Sequence, residues 1–273
     1  MKIVTRVALA ACVALGALTP ASATHSWGGY HWARTSNPFT LKVNKAITSQ
    51  WTSSVNGAIS DWTNSAVLDL AGQDPPAGTS AKRCSAITGQ VLVCNYSYGQ
   101  RGWLGLASIT ITGGTHITSG TTKLNDTYFN TAKYNTSAWR NMVACQEIGH
   151  DFGLDHQDTN FSNPNLDTCM DYTNDPSTNQ HPNQHDYDEL GIIYSHLDSS
   201  TTITAATNFG IRQVGQPAPQ AASIDPGNSP AEWGRAIHND AQGRPNVYMR
   251  TSNGVTVLTH VLWAIGEGPG RSN

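Results

Sequence analysis

A mixed α/β fold of the α+β kind, built on a twisted sheet with strands running in both directions, is what the order of elements in this 273-residue chain predicts. Strand-like stretches outnumber helical ones, and helical periodicity is confined to three well-separated segments. Gly-rich turns, not helices, divide the strands in the middle of the chain.

Taken in order, Phe39, Leu41 and Val43 alternate with polar residues and mark a first strand over 39–43. Trp51, Val55, Ala58, Ile59 and Trp62 recur at helical spacing, which predicts an amphipathic helix over 48–62. Strands are expected at 66–70, 90–96, 103–112 and 117–125. A second helix is expected over 137–152, stopped by Gly153. A third covers 183–196, with Leu190, Ile193 and Tyr194 on one stripe. Residues 213–230 shift to Gln, Pro, Ala and Ser and read as a linker. Beyond it, 246–251 and 255–263 flank Ser252-Asn253-Gly254, a hairpin signal. The organisation predicted is a leader over 1–23, a main body over 24–212, the linker, and a small β-rich extension over 231–273 that packs against the body.

Composition narrows the function. At 38% apolar residues the chain can build a sizeable core, and only 13% of residues are charged. A formal charge of −3 offers no basic face, which argues against nucleic acid. Lys2 and Arg6, the apolar run 7–18 and Ala21-Ser22-Ala23 have the form of a secretory leader, so the expected product is secreted or periplasmic, beginning at Thr24. Cys12 lies too early for a lipoprotein signal, and no later stretch is long and apolar enough to span a bilayer. Removing the leader leaves fourteen cations against nineteen acids, a charge of −5. A soluble monomer is expected. About fifteen residues separate the cleavage site from the first strand, so no inhibitory pro-segment is expected ahead of the body.

Cys84, Cys94, Cys145 and Cys169 remain in the mature chain. An even count in an oxidising compartment reads as two disulfides with three possible connectivities, of which the pairing of sequence neighbours, Cys84 with Cys94 and Cys145 with Cys169, is preferred. The latter bridge would contribute about 3 kcal/mol on the chain-entropy model.

The chemistry concentrates in Cys145-Gln146-Glu147-Ile148-Gly149-His150-Asp151-Phe152-Gly153-Leu154-Asp155-His156. Gln146 and His150 are four apart and share the inward stripe of Trp139, Met142 and Val143. Gly153 can end the helix in a left-handed conformation and return the chain so that His156 reaches the same point as His150. Two imidazoles and a Glu one step round the helix are parts of a hydrolytic metal site.

This stretch resembles the extended zinc motif of the metzincin metalloproteases, H-E-x-x-H-x-x-G-x-x-H, with Gln146 in place of the first His. Thr168-Cys169-Met170-Asp171-Tyr172 resembles that family's Met-turn, and the Tyr two residues after the Met resembles the astacin and serralysin branches. The resemblance implies a metzincin-like catalytic domain with an active-site helix, a Met-turn and a C-terminal helix, acting as a secreted zinc endopeptidase. His150 and His156 would bind zinc, Gln146 or Tyr172 would complete the ligand set, and Met170 would lie beneath the metal. Glu147 would be the general base for a metal-activated water, and a peptide substrate would lie extended along an edge strand at 103–109. A non-catalytic metzincin-fold binding protein, with metal binding weakened by Gln146, is the alternative.

Other residues have plainer readings. Asp151, Asp155 and Asp158 read most simply as solvated loop and helix-end acids, although ten of the nineteen acids fall between Glu147 and Glu189, a concentration that could hold calcium. His181 and His185 are four apart, yet Pro182 at a helix start accounts for the first. His25 and His31 lack a partner motif and read as incidental. Asn95, Asn125, Asn135 and Asn160 begin N-x-S/T sequons.

Overall fold

The computed structural model describes residues 25–204 and 224–269. The expected leader 1–23 and the stretch 213–223 of the expected linker lie outside the described residues. The strands are β1 (His31–Trp32), β2 (Phe39–Ala46), β3 (Leu68–Gln73), β4 (Val91–Tyr96), β5 (Trp103–Thr112), β6 (His116–Asn125), β7 (Arg235–Asn239), β8 (Pro245–Ser252) and β9 (Val255–Trp263). The helices are α1 (Ser49–Thr63), α2 (Asp126–Phe129), α3 (Ser137–His150), α4 (Gln184–Ile193) and α5 (Pro230–Trp233). The architecture is mixed α/β, dominated by a single sheet.

That sheet runs β3-β2-β4-β6-β5-β9-β8-β7, with β1 added beside β6. Its first half is parallel, and from β6 onward every pairing is antiparallel. The strands expected at 103–112 and 117–125 are β5 and β6, joined by a tight turn at Gly113 and Gly114. The expected hairpin is β8–β9, where Ser252 pairs with Val255 and both Asn253 and Gly254 have positive φ. That is the backbone a two-residue type I′ turn requires.

α1 and α3 pack against each other, α3 lying over β5 and β6. Between helices and sheet lies the main core, with Trp51, Trp62, Phe129, Met142, Val143, Ile148 and Phe152 from the helical side and Leu41, Val43, Val91, Ile109 and Leu258 from the strands. Alternation along β9 divides its residues between two cores. Leu258 and Leu262 enter the main one, while Val261 and Trp263 join Trp103, Leu106, Tyr248 and Trp233 of α5 in a second cluster. Lys123 of β6 is buried and donates to Asp225, the Gly227 carbonyl and Asn228. Desolvation holds its pKa below the usual lysine range.

α3 begins where Thr136 accepts a hydrogen bond from the Trp139 backbone N–H, a cap worth about 1 kcal/mol. It stops at His150, two residues short of the expected end, because residues 151–153 turn into Gly153 at φ +95°. A Cβ there would meet the Tyr30 carbonyl oxygen at 2.0 Å. Gly153→Ala is therefore expected to destabilise the fold by at least about 2 kcal/mol, read as a lowered thermal midpoint. α4 ends at Ile193 instead of residue 196, since the carbonyls of Tyr194 and His196 turn aside to accept from Arg34. Both disulfides join sequence neighbours, Cys84 with Cys94 and Cys145 with Cys169.

Candidate metal centre

α3 and the turn after it bring His150 and His156 together, Nε2 to Nε2 at 3.0 Å. The loop geometry follows from Gly153, whose N–H returns to the His150 carbonyl and whose carbonyl accepts from Trp27. His150 Nδ1 donates to the Leu154 carbonyl at 2.8 Å, which leaves its Nε2 as a bare lone pair facing His156. Asp155 Oδ1 lies 3.2 Å from His156 Nδ1.

The third imidazole is His260 of β9. It stacks on His150 with centroids 3.9 Å apart and planes 7° from parallel, and Trp27 covers it at 3.6 Å. One ligand atom from each of His150, His156 and His260 lies within 4.8 Å of the others. Both ring nitrogens of His260 are buried without a hydrogen-bond partner. Desolvation, reinforced by the neighbouring imidazoles, pushes the pKa of His150 and of His260 well below the usual histidine value, so both rings are neutral, the form that binds metal. Three imidazoles, one of them with both ring nitrogens unpartnered, make a donor set able to hold a metal ion.

Glu147 lies one turn before His150 on α3 with its carboxylate fully buried and unpartnered. It presses on Gly105 of β5, where a Cβ would come within 2.5 Å of Oε1, and Gly105 pairs with Leu262, two residues from His260. Only a glycine leaves room for this carboxylate. Burial, with Asp151 nearby, pushes its pKa well above the ordinary carboxylate value.

Gln146 is buried on α3. Its side-chain N–H donates to the Cys169 carbonyl at 2.7 Å, tying α3 to the 168–172 turn beside the Cys145–Cys169 bridge. Its Oε1 is buried without a partner. Met170 lies under α3, its Sδ 2.8 Å from where a Cβ on Gly149 would sit. Tyr172 reaches the group from the other side, its ring 4.4 Å from that of His156. Its hydroxyl donates to the Val261 carbonyl and accepts from Asn246, both 3.3 Å away, and burial pushes the phenol pKa up. A buried phenol that donates to a strand carbonyl disfavours the phenolate that metal ligation would use.

The stretch 103–109, expected as a free edge for peptide, is interior. β9 lies antiparallel along β5 from Trp103 to Ile111 and occupies that edge. The third imidazole escaped the motif because it stands far downstream in a stretch read only as a hairpin. Its signal was the alternation Leu258, His260, Leu262, which puts one polar ring on an apolar face.

The ten acids between Glu147 and Glu189 do not gather. Among the described residues neither group able to hold a metal contains one of them. Asp158 accepts from the Asn160 N–H, Asp171 from Asn163, Leu166 and Asn179, and Asp186 from Gln157 and the Asn183 N–H. These are turn-holding roles. His181 pairs with Asp61 and His185 stacks on His25, so those two do not meet at a common point. Asn95 and Asn125 are buried and donate to Asp126 and to the Gly99 and Trp103 carbonyls, which closes two of the four sequons. Among the described residues no helix is long and apolar enough to cross a membrane.

No family model matches the chain, and no curated protein matches it significantly.

Proposed function

We propose that the protein is a secreted, zinc-dependent endopeptidase of metzincin type that its own C-terminal hairpin holds latent. The observation that carries this reading is the convergence of His150, His156 and His260 at the end of the helix that also carries the buried, unpartnered carboxylate of Glu147. Zinc held there would polarise a scissile carbonyl and activate a water molecule. Glu147 is the residue to accept a proton and deliver it to the leaving amine, and burial raises its pKa above the ordinary carboxylate value. Gly105 keeps that carboxylate in place.

Latency follows from β9. A strand lying antiparallel on β5, with one side chain directed into the imidazole group, has the posture of a peptide added to a sheet edge. His260 then fills the position that a catalytic centre leaves open. Once the hairpin is withdrawn, His150 and His156 remain, and the Tyr172 hydroxyl is released from the Val261 carbonyl and available as a further ligand.

Complete burial of His150, with His260 almost as deeply buried, also favours a second reading, a structural metal site in a non-catalytic binding protein. The two separate in one experiment. A specific protease site is placed within residues 213–223, and hydrolysis of an unfolded protein substrate is followed before cleavage, after cleavage with chromatographic removal of the hairpin, and after chelation. Activity is expected only in the cleaved, zinc-loaded form. A cleaved chain that holds zinc and hydrolyses nothing would establish the non-catalytic reading.

A further inference from the structure

A second group of ligand atoms lies apart from the centre described above, where β1, the start of β6 and the segment after α4 meet. His31 and His116 are Cα partners in the β1–β6 pairing, which sets their side chains next to each other. His196 and Asp198 come from the turn that follows α4. His31 Nε2 lies 3.2 Å from His196 Nε2, and Asp198 Oδ1 lies 3.5 Å from His31 Nε2, 3.2 Å from His116 Nε2 and 3.8 Å from His196 Nε2.

The outer atoms of this group are already engaged. His31 Nδ1 sits 2.8 Å from the Gly29 carbonyl, which can only accept, so the proton of the neutral ring is on Nδ1 and Nε2 is a bare lone pair. Asp198 Oδ2 accepts from the Arg34 backbone N–H and from its guanidinium, leaving Oδ1 to face the rings. A positive charge between His31 Nε2 and Asp198 Oδ1, whether a proton or a metal cation, lets the two stand 3.5 Å apart. Four ligands at zinc bond lengths stand roughly 3.3 Å from one another in a tetrahedron; four of the six pairs here stand 3.2 to 3.8 Å apart, and one ligand atom from each of His31, His116 and Asp198 lies within 4.8 Å of the others.

We propose that His31, His116, His196 and Asp198 form a second, structural metal site, selective for a borderline divalent ion such as zinc. Three imidazoles and one carboxylate suit zinc and not calcium or magnesium. The Gly29 carbonyl and Arg34 are the outer partners that orient the ligands. A closed set of four protein ligands has no position for substrate, so its role is to clamp. It pins β1 and the segment before it, where Trp27 covers His260 and Tyr30 abuts Gly153. The second site therefore braces the wall of the first without entering its chemistry.

The test uses the mature chain with zinc or cobalt alone as probe. His116 and His196 have side chains 32% and 53% exposed, so His116→Gln and His196→Gln are replacements the fold tolerates. Each is expected to remove one equivalent of tightly bound zinc, weakening that site about 10-fold or more, and to abolish the tetrahedral cobalt absorption belonging to it. The zinc-induced rise in thermal midpoint should shrink, while the midpoint in chelator stays at the parent's value. His150→Gln should remove a different equivalent and leave this one intact, which separates failure here from failure at the three-histidine centre. Unchanged zinc stoichiometry and cobalt spectrum in both His116→Gln and His196→Gln would show that protonated imidazole, not metal, balances Asp198, and would overturn the proposal.

Discussion

Replacing His260 by Ala is expected to lower the zinc affinity of the intact chain by about 10-fold or more. The substitution deletes one of the three imidazoles of the group, the one whose two ring nitrogens are both buried without a hydrogen-bond partner. Because zinc bound to the folded state raises stability by mass action, the thermal midpoint in excess zinc should fall with it. In chelator the change should be much smaller, since the ring makes no hydrogen bond there. A titration against a competing chelator, paired with melting in zinc and in EDTA, reads both effects. If affinity is unchanged, His260 is a packing residue on the face of His150, and the centre rests on His150 and His156 with Gln146 or Tyr172. The companion substitution Gln146→His should not compensate in the intact chain. The amide of residue 146 is committed to the Cys169 carbonyl, and a new ring there breaks that bond.

Much of the architecture was legible because it rests on local signals. Helical spacing of Trp51, Val55, Ile59 and Trp62 placed α1, and alternation with a glycine turn placed β5 and β6. Asn253-Gly254 announced the β8–β9 turn. What local signals could not carry was sheet order. That β9 pairs with β5, converting an expected edge into an interior strand, depends on burial of Leu258, Leu262 and Trp263 against two different cores, which no window of sequence contains. β1, β7, α2 and α5 are too short for periodicity to register.

The site divides along the same line. Glu147, His150 and His156 lie within one helix and its cap, so spacing alone brought them together. His260 is delivered by long-range strand pairing, whereas the resemblance pointed to Gln146 and Tyr172 for a third ligand. His31 read as incidental because its partners His116, His196 and Asp198 come from two elements remote in sequence, the start of β6 and the turn after α4. The same long-range pairing bears on latency. No inhibitory segment was expected ahead of the body, and the segment that covers β5 comes from behind it.

Glu147→Gln is expected to retain zinc and to lose at least about 100-fold of the peptidase activity of the cleaved form. Gln is isosteric and fits against Gly105, so loss of turnover without loss of metal would isolate the carboxyl group's proton transfer from its packing. The same substitution has a signature in stability that does not depend on activity. Burial raises the folded-state pKa of Glu147 above its unfolded value near 4.5, so in the window above 4.5 the folded state binds more protons than the unfolded one. Stability of the parent therefore falls as pH rises through that window. Glutamine does not ionise and carries no such penalty. Metal-free Glu147→Gln should accordingly be more stable than the metal-free parent at neutral pH, with the difference shrinking as pH falls toward 4.5. Denaturant melts of both proteins in chelator, from pH 7.5 down to 4.5, read that difference directly. A constant gap across the range would mean that the carboxylate is solvated or paired in the folded protein, and that the environment proposed to tune it as a base does not exist.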